Sequence, residues 1–153
     1  MRIISITLII FLLASCSNTK KVNSETVGSV DIDKSLGALC GADLQTGLLA
    51  VKMREQGETR DFLQLAVDAM PVSQVRKKRI MNSSLHDAYE NPELPKEIYG
   101  MYRMEACYQQ VIGKNIPEFL TKEMVVHLVK CSKIVDQNPQ FLCASAVAKK
   151  YAK

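Results

Sequence analysis

Few side chains in this chain are placed to do proton or nucleophilic chemistry. There are two histidines, His86 and His127. His86 is followed by Asp87 and stands near Tyr89, and His127 lies one helical turn before Cys131. A hydrolytic triad needs a nucleophile, a base and an orienting acid brought together. Neither histidine is flanked by a nucleophile elbow or another family signature. His86 is therefore expected in a capping or surface role, and His127 on a helix face. Glu90 and Glu93 fall in a turn-like stretch and read as solvated charges. There is no glycine-rich phosphate loop, no HExxH and no EF-hand loop. The expectation is no enzyme, no metal site and no cofactor.

The densest charge run is Arg76-Lys77-Lys78-Arg79. On a helix these four point in different directions, so they form no single basic stripe. They are either a solvated face or a contact for an acidic partner or anionic headgroups, the last contributing about 1 kcal/mol per basic residue. The formal net charge of +4 gives no argument for nucleic acid. Further on, Asp87 to Pro95 alternates apolar and acidic residues, with Tyr89 inside it and Tyr99 and Tyr102 just beyond. Exposed tyrosines beside a protruding loop would suit a protein-binding surface; the other reading has them lidding a small core. Arg76, Lys77, Lys78, Arg79, Tyr89, Tyr99 and Tyr102 are the candidate partner surface.

These residues must be positioned by helices, because apolar residues recur at three- and four-residue steps almost throughout. A first helix is expected from about Ser35 to Gln56, with Leu36, Leu39, Cys40, Leu44, Leu48 and Val51 on one stripe and Gly57 as its stop. Thr59 is a plausible N-cap for a short second helix carrying Phe62, Leu63, Ala66 and Val67 inward. The third spans about Ser73 to Tyr89, with Val75, Met81, Leu85 and Ala88 together. After the Asn91-Pro92 turn, Pro95 suits the first position of a fourth helix, which aligns Met101, Met104, Cys107, Tyr108 and Val111 before Gly113. A fifth starts near Pro117 or Thr121 and carries Leu120, Met124, Leu128, Cys131 and Val135. Val125, Val126 and Val129 argue mildly for a strand there, without a partner strand nearby. Asn138-Pro139 opens a sixth through Cys143, Val147 and Tyr151. The expected fold is all-α, a small bundle of about five to six helices.

The amino terminus belongs to another category. One positive charge, Arg2, precedes an apolar run from Ile3 to Ala14. That run is shorter than the roughly 20 apolar residues of a membrane-spanning helix and fits the core of a secretory signal. It ends Leu13-Ala14-Ser15-Cys16, which resembles the lipobox of bacterial lipoproteins. The resemblance implies lipid transfer to the Cys16 thiol and cleavage after Ser15. Residues 1–15 are then a signal peptide, and Cys16 tethers the chain to a membrane. Two or three acyl chains hold stably, each buried methylene contributing about 0.8 kcal/mol. Ser17 rather than Asp after the lipidated cysteine resembles the outer-membrane-sorted group of Gram-negative lipoproteins, which implies the periplasmic face of that membrane. Residues 16–34 are polar and aperiodic and read as a flexible tether, with the helical domain at 35–153.

With Cys16 assigned to lipid, Cys40, Cys107, Cys131 and Cys143 remain. An even count in an exported chain favours disulfides. No CxxC occurs and the spacing is unlike a zinc ribbon. Cys131 and Cys143 flank Asn138-Pro139 at similar distances, so in an antiparallel hairpin rising about 1.5 Å per residue they face each other. That favours Cys131–Cys143 and leaves Cys40–Cys107.

The body resembles small helical, disulfide-bearing periplasmic proteins. Carrying the likeness are Cys40, the Lys52-Met53-Arg54-Glu55-Gln56-Gly57 helix end, and Ala88-Tyr89-Glu90-Asn91-Pro92 followed by Ala106-Cys107-Tyr108. An Asn-Pro turn followed by a cysteine-bearing helix is faintly similar to the type VI secretion amidase immunity proteins, helical periplasmic inhibitors. The resulting expectation is a noncatalytic, membrane-anchored lipoprotein that binds another envelope protein, as inhibitor or immunity factor. The alternatives are a structural accessory subunit of an envelope complex, or an enzyme with an unrecognised site.

Overall fold

The computed structural model describes residues 29–153, with side chains from Ser35 onward. The expected signal peptide, the expected lipidation site Cys16 and residues 17–28 of the expected tether lie outside the described residues. Within them the chain forms six α-helices and no strand: α1 Ser29–Glu55, α2 Arg60–Asp68, α3 Val75–Glu90, α4 Lys96–Val111, α5 Lys122–Cys131 and α6 Gln137–Tyr151, with a short 3-10 turn, Val72–Gln74, leading into α3. No helix among them is long and apolar enough to cross a membrane.

Local signals set most of the boundaries. Thr59 and Thr121 cap α2 and α5, their hydroxyls accepting from the Phe62 and Met124 amides at 3.3 Å, which satisfies one orphan donor in each first turn. Gly57 and Gly113 lie at φ of 82° and 86°, and the amides just after them reach back to Met53 and Gln109 carbonyls. This paired-bond ending needs a left-handed residue at that place. Other boundaries depart from expectation. α1 begins at Ser29, so residues 29–34 are helix rather than tether; extending a formed helix adds one bond per residue and needs no apolar stripe. Pro95 precedes α4 as its cap. Asn138-Pro139 lies inside the first turn of α6, and the reversal falls at residues 132–136. Val135 is therefore exposed in that turn rather than inward on α5. Val125, Val126 and Val129 are helical.

α4 is the central element: it packs chiefly on α1 and α6, while α3 packs on α1, α2 on α3 and α5 on α6. Close approach of α1 and α4 depends on two glycines. A Cβ on Gly100 would fall 2.8 Å from the Leu48 side chain, and one on Gly47 would fall 3.0 Å from the Arg103 stem. The Cys40–Cys107 disulfide joins the same two helices, and Cys131–Cys143 joins α5 to α6. Both pairings are those expected, Cys131–Cys143 from the helical hairpin and Cys40–Cys107 as the pair that remains. The core gathers Val51, Leu94, Ile98, Tyr99, Tyr102, Met124 and Leu128. Leu39, Phe62, Val75 and Val111, expected inward, are instead exposed, because each helix turns its face toward the neighbour it meets, which its own periodicity does not name.

Tyr99 and Tyr102 are fully buried in that core and form no exposed partner surface. Tyr99 lies against Gly47 of α1 and donates its hydroxyl to Asp87 of α3. Tyr89 is half-buried and its hydroxyl donates to the Glu58 carbonyl, so it serves to close the α1–α2 corner. The Asn91-Pro92 turn does not protrude freely either. Arg54 donates to the Ala88 and Asn91 carbonyls at 2.8 and 3.0 Å, holding the end of α3 and the turn against α1.

Candidate functional site

The two histidines are not brought together with a nucleophile. His86 packs on Phe119, ring centroids 4.4 Å apart, and approaches Arg60 at 3.4 Å. His127 sits on the exposed face of α5 with Lys150 at 3.1 Å and Glu123 at 3.6 Å. Among the described residues no cluster of three or more His, Cys, Asp or Glu is arranged to hold a metal ion.

The basic run is divided by the fold. Arg76 grips Asp43 of α1 through both carboxylate oxygens, at 2.9 and 2.8 Å. Lys78 reaches back to the Asp68 carbonyl at 3.2 Å. Lys77 and Arg79 form no ion pair among the described residues, and each lines a different concavity. The four residues therefore make two structural contacts and two separate surface charges, not one patch.

The first concavity is an apolar trough of about 220 Å³ between α1, α2 and α3, lined by Leu49, Ala50, Met53, Leu63, Val67 and Met81 among others. It opens into a shallower depression that adds Met70, Gln74 and Lys77. Its origin is local. α2 packs on α3 and contributes one fully buried side chain, Val67, so it leaves a gap against α1. Leu49 in its wall remains 47 % exposed. Apolar surface left in water forgoes about 25 cal/mol per Å², and contiguous exposure of this kind marks interaction sites. Three methionines line the two depressions, and their flexible thioethers adapt to differently shaped partners.

The second concavity, about 120 Å³, lies between α1, α3, α4 and the loop after α4. Behind it is a buried polar cluster. Asp87 accepts from the Tyr99 hydroxyl at 2.8 Å and from the Leu120 amide at 2.9 Å, which fastens that loop to α3. Burial pushes the Asp87 carboxyl above its ordinary range, and these two bonds with the Arg103 and His86 charges only partly offset it. Tyr99 is likewise held well above the ordinary phenol range, first by burial. Arg103, on α4, is only 7 % exposed. Burial alone would ease loss of its proton, but Tyr99, Asp87, Tyr102 and Asp43 outweigh that and the net direction is upward.

Periodicity does not mark Asp43 and Arg103 as buried. The available signal was position: Arg103 falls four residues after Tyr99 and four before Cys107, and Asp43 falls between Cys40 and Gly47 on the inward stripe of α1. A charge on an apolar stripe is either a break in the pattern or a buried group with a role.

Set against known proteins, the chain matches no family model, no curated protein and no solved structure.

Proposed function

We propose that this chain is a noncatalytic envelope lipoprotein, held by lipid on Cys16 at the periplasmic face of the outer membrane, whose helical domain binds another envelope protein. The observation that carries the binding half is the apolar trough between α1 and α2, whose wall residue Leu49 is left half exposed. A trough walled by helices suits an amphipathic helix laid into it, read through anchors at i, i+3, i+4 and i+7. Lys77 at its open end, without an ion pair among the described residues, favours a segment whose apolar face is bordered by acidic residues. Inhibition of an envelope enzyme is the form of this function that the sequence resemblance suggests. The anchor half rests on the Leu13-Ala14-Ser15-Cys16 pattern.

The test is site-specific photocrosslinking of the full-length chain in its own cells. A crosslinker at Leu49 or Met70, both in the wall of the depressions, should capture one protein partner, while a crosslinker at exposed Val126 on α5 should not. Capture should be lost on Ala66→Glu, an exposed position in the trough wall. Capture of a second copy of this chain, or capture indifferent to Ala66→Glu, would overturn the reading.

A further inference from the structure

We infer that the cleft between α1, α3, α4 and the loop after α4 is a binding site for a singly charged carboxylate carried on a short apolar chain. The central observation is Arg103. It is buried, lines the cleft, and forms no hydrogen bond or ion pair with any described residue; its Nε is sealed from solvent without a protein partner. Buried guanidinium groups are ordinarily paired. The nearby acids are already engaged. Asp43 gives both oxygens to Arg76, and Asp87 gives one oxygen to Tyr99 and the other to Leu120. Both attract Arg103 through space, but neither fills its donors.

The rest of the wall selects the ligand. A planar guanidinium edge matches a carboxylate bidentately, and Arg79 adds a second positive charge at the rim. Ser83 and Gln110 offer hydrogen-bonding groups. Asp43 and Glu118 in the same wall oppose a doubly charged phosphate more than a single negative charge, since like-charge repulsion grows with ligand charge. Ile80, Ala106, Ile116 and Pro117 suit a short aliphatic chain behind the carboxylate. Gly47 keeps α1 clear of the Arg103 stem, so the guanidinium is placed by the α1–α4 contact. The site is distinct from the trough: Ile80 and Ser83 of α3 face the cleft, while Met81 and Leu85 face the trough.

The experiment uses the full chain in nonionic detergent with its disulfides intact. Butyrate is titrated at constant ionic strength while the arginine Nε–H resonances are followed by NMR, with butyramide and inorganic phosphate as controls. Butyrate should move the Arg103 resonance saturably. Butyramide should leave it unmoved, and phosphate should bind at least tenfold more weakly. Arg103→Lys, which keeps the charge and loses the fork, should weaken butyrate at least tenfold, read by competition or calorimetry. Arg79→Gln, at an exposed position, should weaken it several-fold in a chain that keeps its fold even where an Arg103 variant does not. A peptide with a free C-terminal carboxylate, compared with its amide, distinguishes the two sources: tighter binding than butyrate points to a polypeptide end, weaker binding to a small free acid. An Arg103 signal indifferent to butyrate, or equal responses to butyrate and butyramide, would overturn the site and leave Arg103 hydrated by water alone.

Discussion

Arg76 on α3 holds Asp43 on α1 through two parallel hydrogen bonds, and the same guanidinium stands 3.5 Å from the Cys107 sulfur of the α1–α4 disulfide. Three helices therefore meet at one fork. The two partners differ in their access to water, Asp43 being 4 % and Arg76 39 % exposed at the side chain. That asymmetry decides which deletion is worse.

Arg76→Ala strands a buried carboxylate, whereas Asp43→Asn leaves an arginine that can turn to solvent. Removing one partner of a buried pair costs roughly 3–5 kcal/mol when the survivor stays dry and less when it does not. The expected loss is about 3 kcal/mol for Arg76→Ala and about 1–2 kcal/mol for Asp43→Asn. Urea denaturation of both variants checks the order; a larger loss for Asp43→Asn would contradict it.

The disulfide that closes the longer loop should contribute more, by the logarithm of loop length. Cys131–Cys143 spans 12 residues and Cys40–Cys107 spans 67. Chain-entropy arithmetic assigns about 3 kcal/mol to the short loop and about 4 kcal/mol to the long one. Paired Cys→Ser variants, compared with the oxidised chain by chemical denaturation, should show the long-loop variant the less stable of the two.

Asp87 should give stability an unusual pH slope. Its native carboxyl is raised above 3.8 because burial outweighs its hydrogen bonds. The native state then keeps a proton that the unfolded chain has already released. The contribution is fully present below the unfolded value and is lost as pH rises through the higher native one. Denaturation midpoints of the wild type and Asp87→Asn, taken upward from about pH 4, should differ by an amount that moves against the wild type as pH rises. A difference moving the other way would mean that the carboxyl is stabilised as the ion.

Anchoring through Cys16 predicts a fractionation result. Cys16→Ala should remove the lipid and with it the stable membrane association that two or three acyl chains supply. The readout is the distribution of the chain between washed membranes and the soluble fraction, together with loss of palmitate labelling. A variant still in the membrane after cleavage of its amino-terminal segment would count against lipid on Cys16.

How much was legible is clearest on α4. Its existence followed from the recurrence of Met101, Met104, Cys107, Tyr108 and Val111, and its end from Gly113. The rotation that buries Tyr99, Tyr102 and Arg103 did not follow, because periodicity identifies an inward face only approximately and a helix enclosed by α1, α5 and α6 has more than one. Arg76-Lys77-Lys78-Arg79 is the complementary case. Four adjacent cations read as one feature, yet a helix turns each about 100° from the last, and four different neighbourhoods receive them.

By itself, the sequence determined an all-α chain, the helix stops at Gly57 and Gly113 and the Thr59 cap, and it favoured the Cys131–Cys143 pairing, which leaves Cys40–Cys107. Each depends on residues close in the chain or on the rise of a single helical hairpin, so local stereochemistry is enough. Tertiary structure alone decided that Asp43 is taken by Arg76, that Arg54 clamps the α3 end, that the tyrosines face inward, and that Arg103 is buried without a protein partner. Those outcomes depend on which helices meet and at what separation. That separation is set by Gly47 against Arg103 and Gly100 against Leu48, pairs too far apart in the chain for any local pattern to announce.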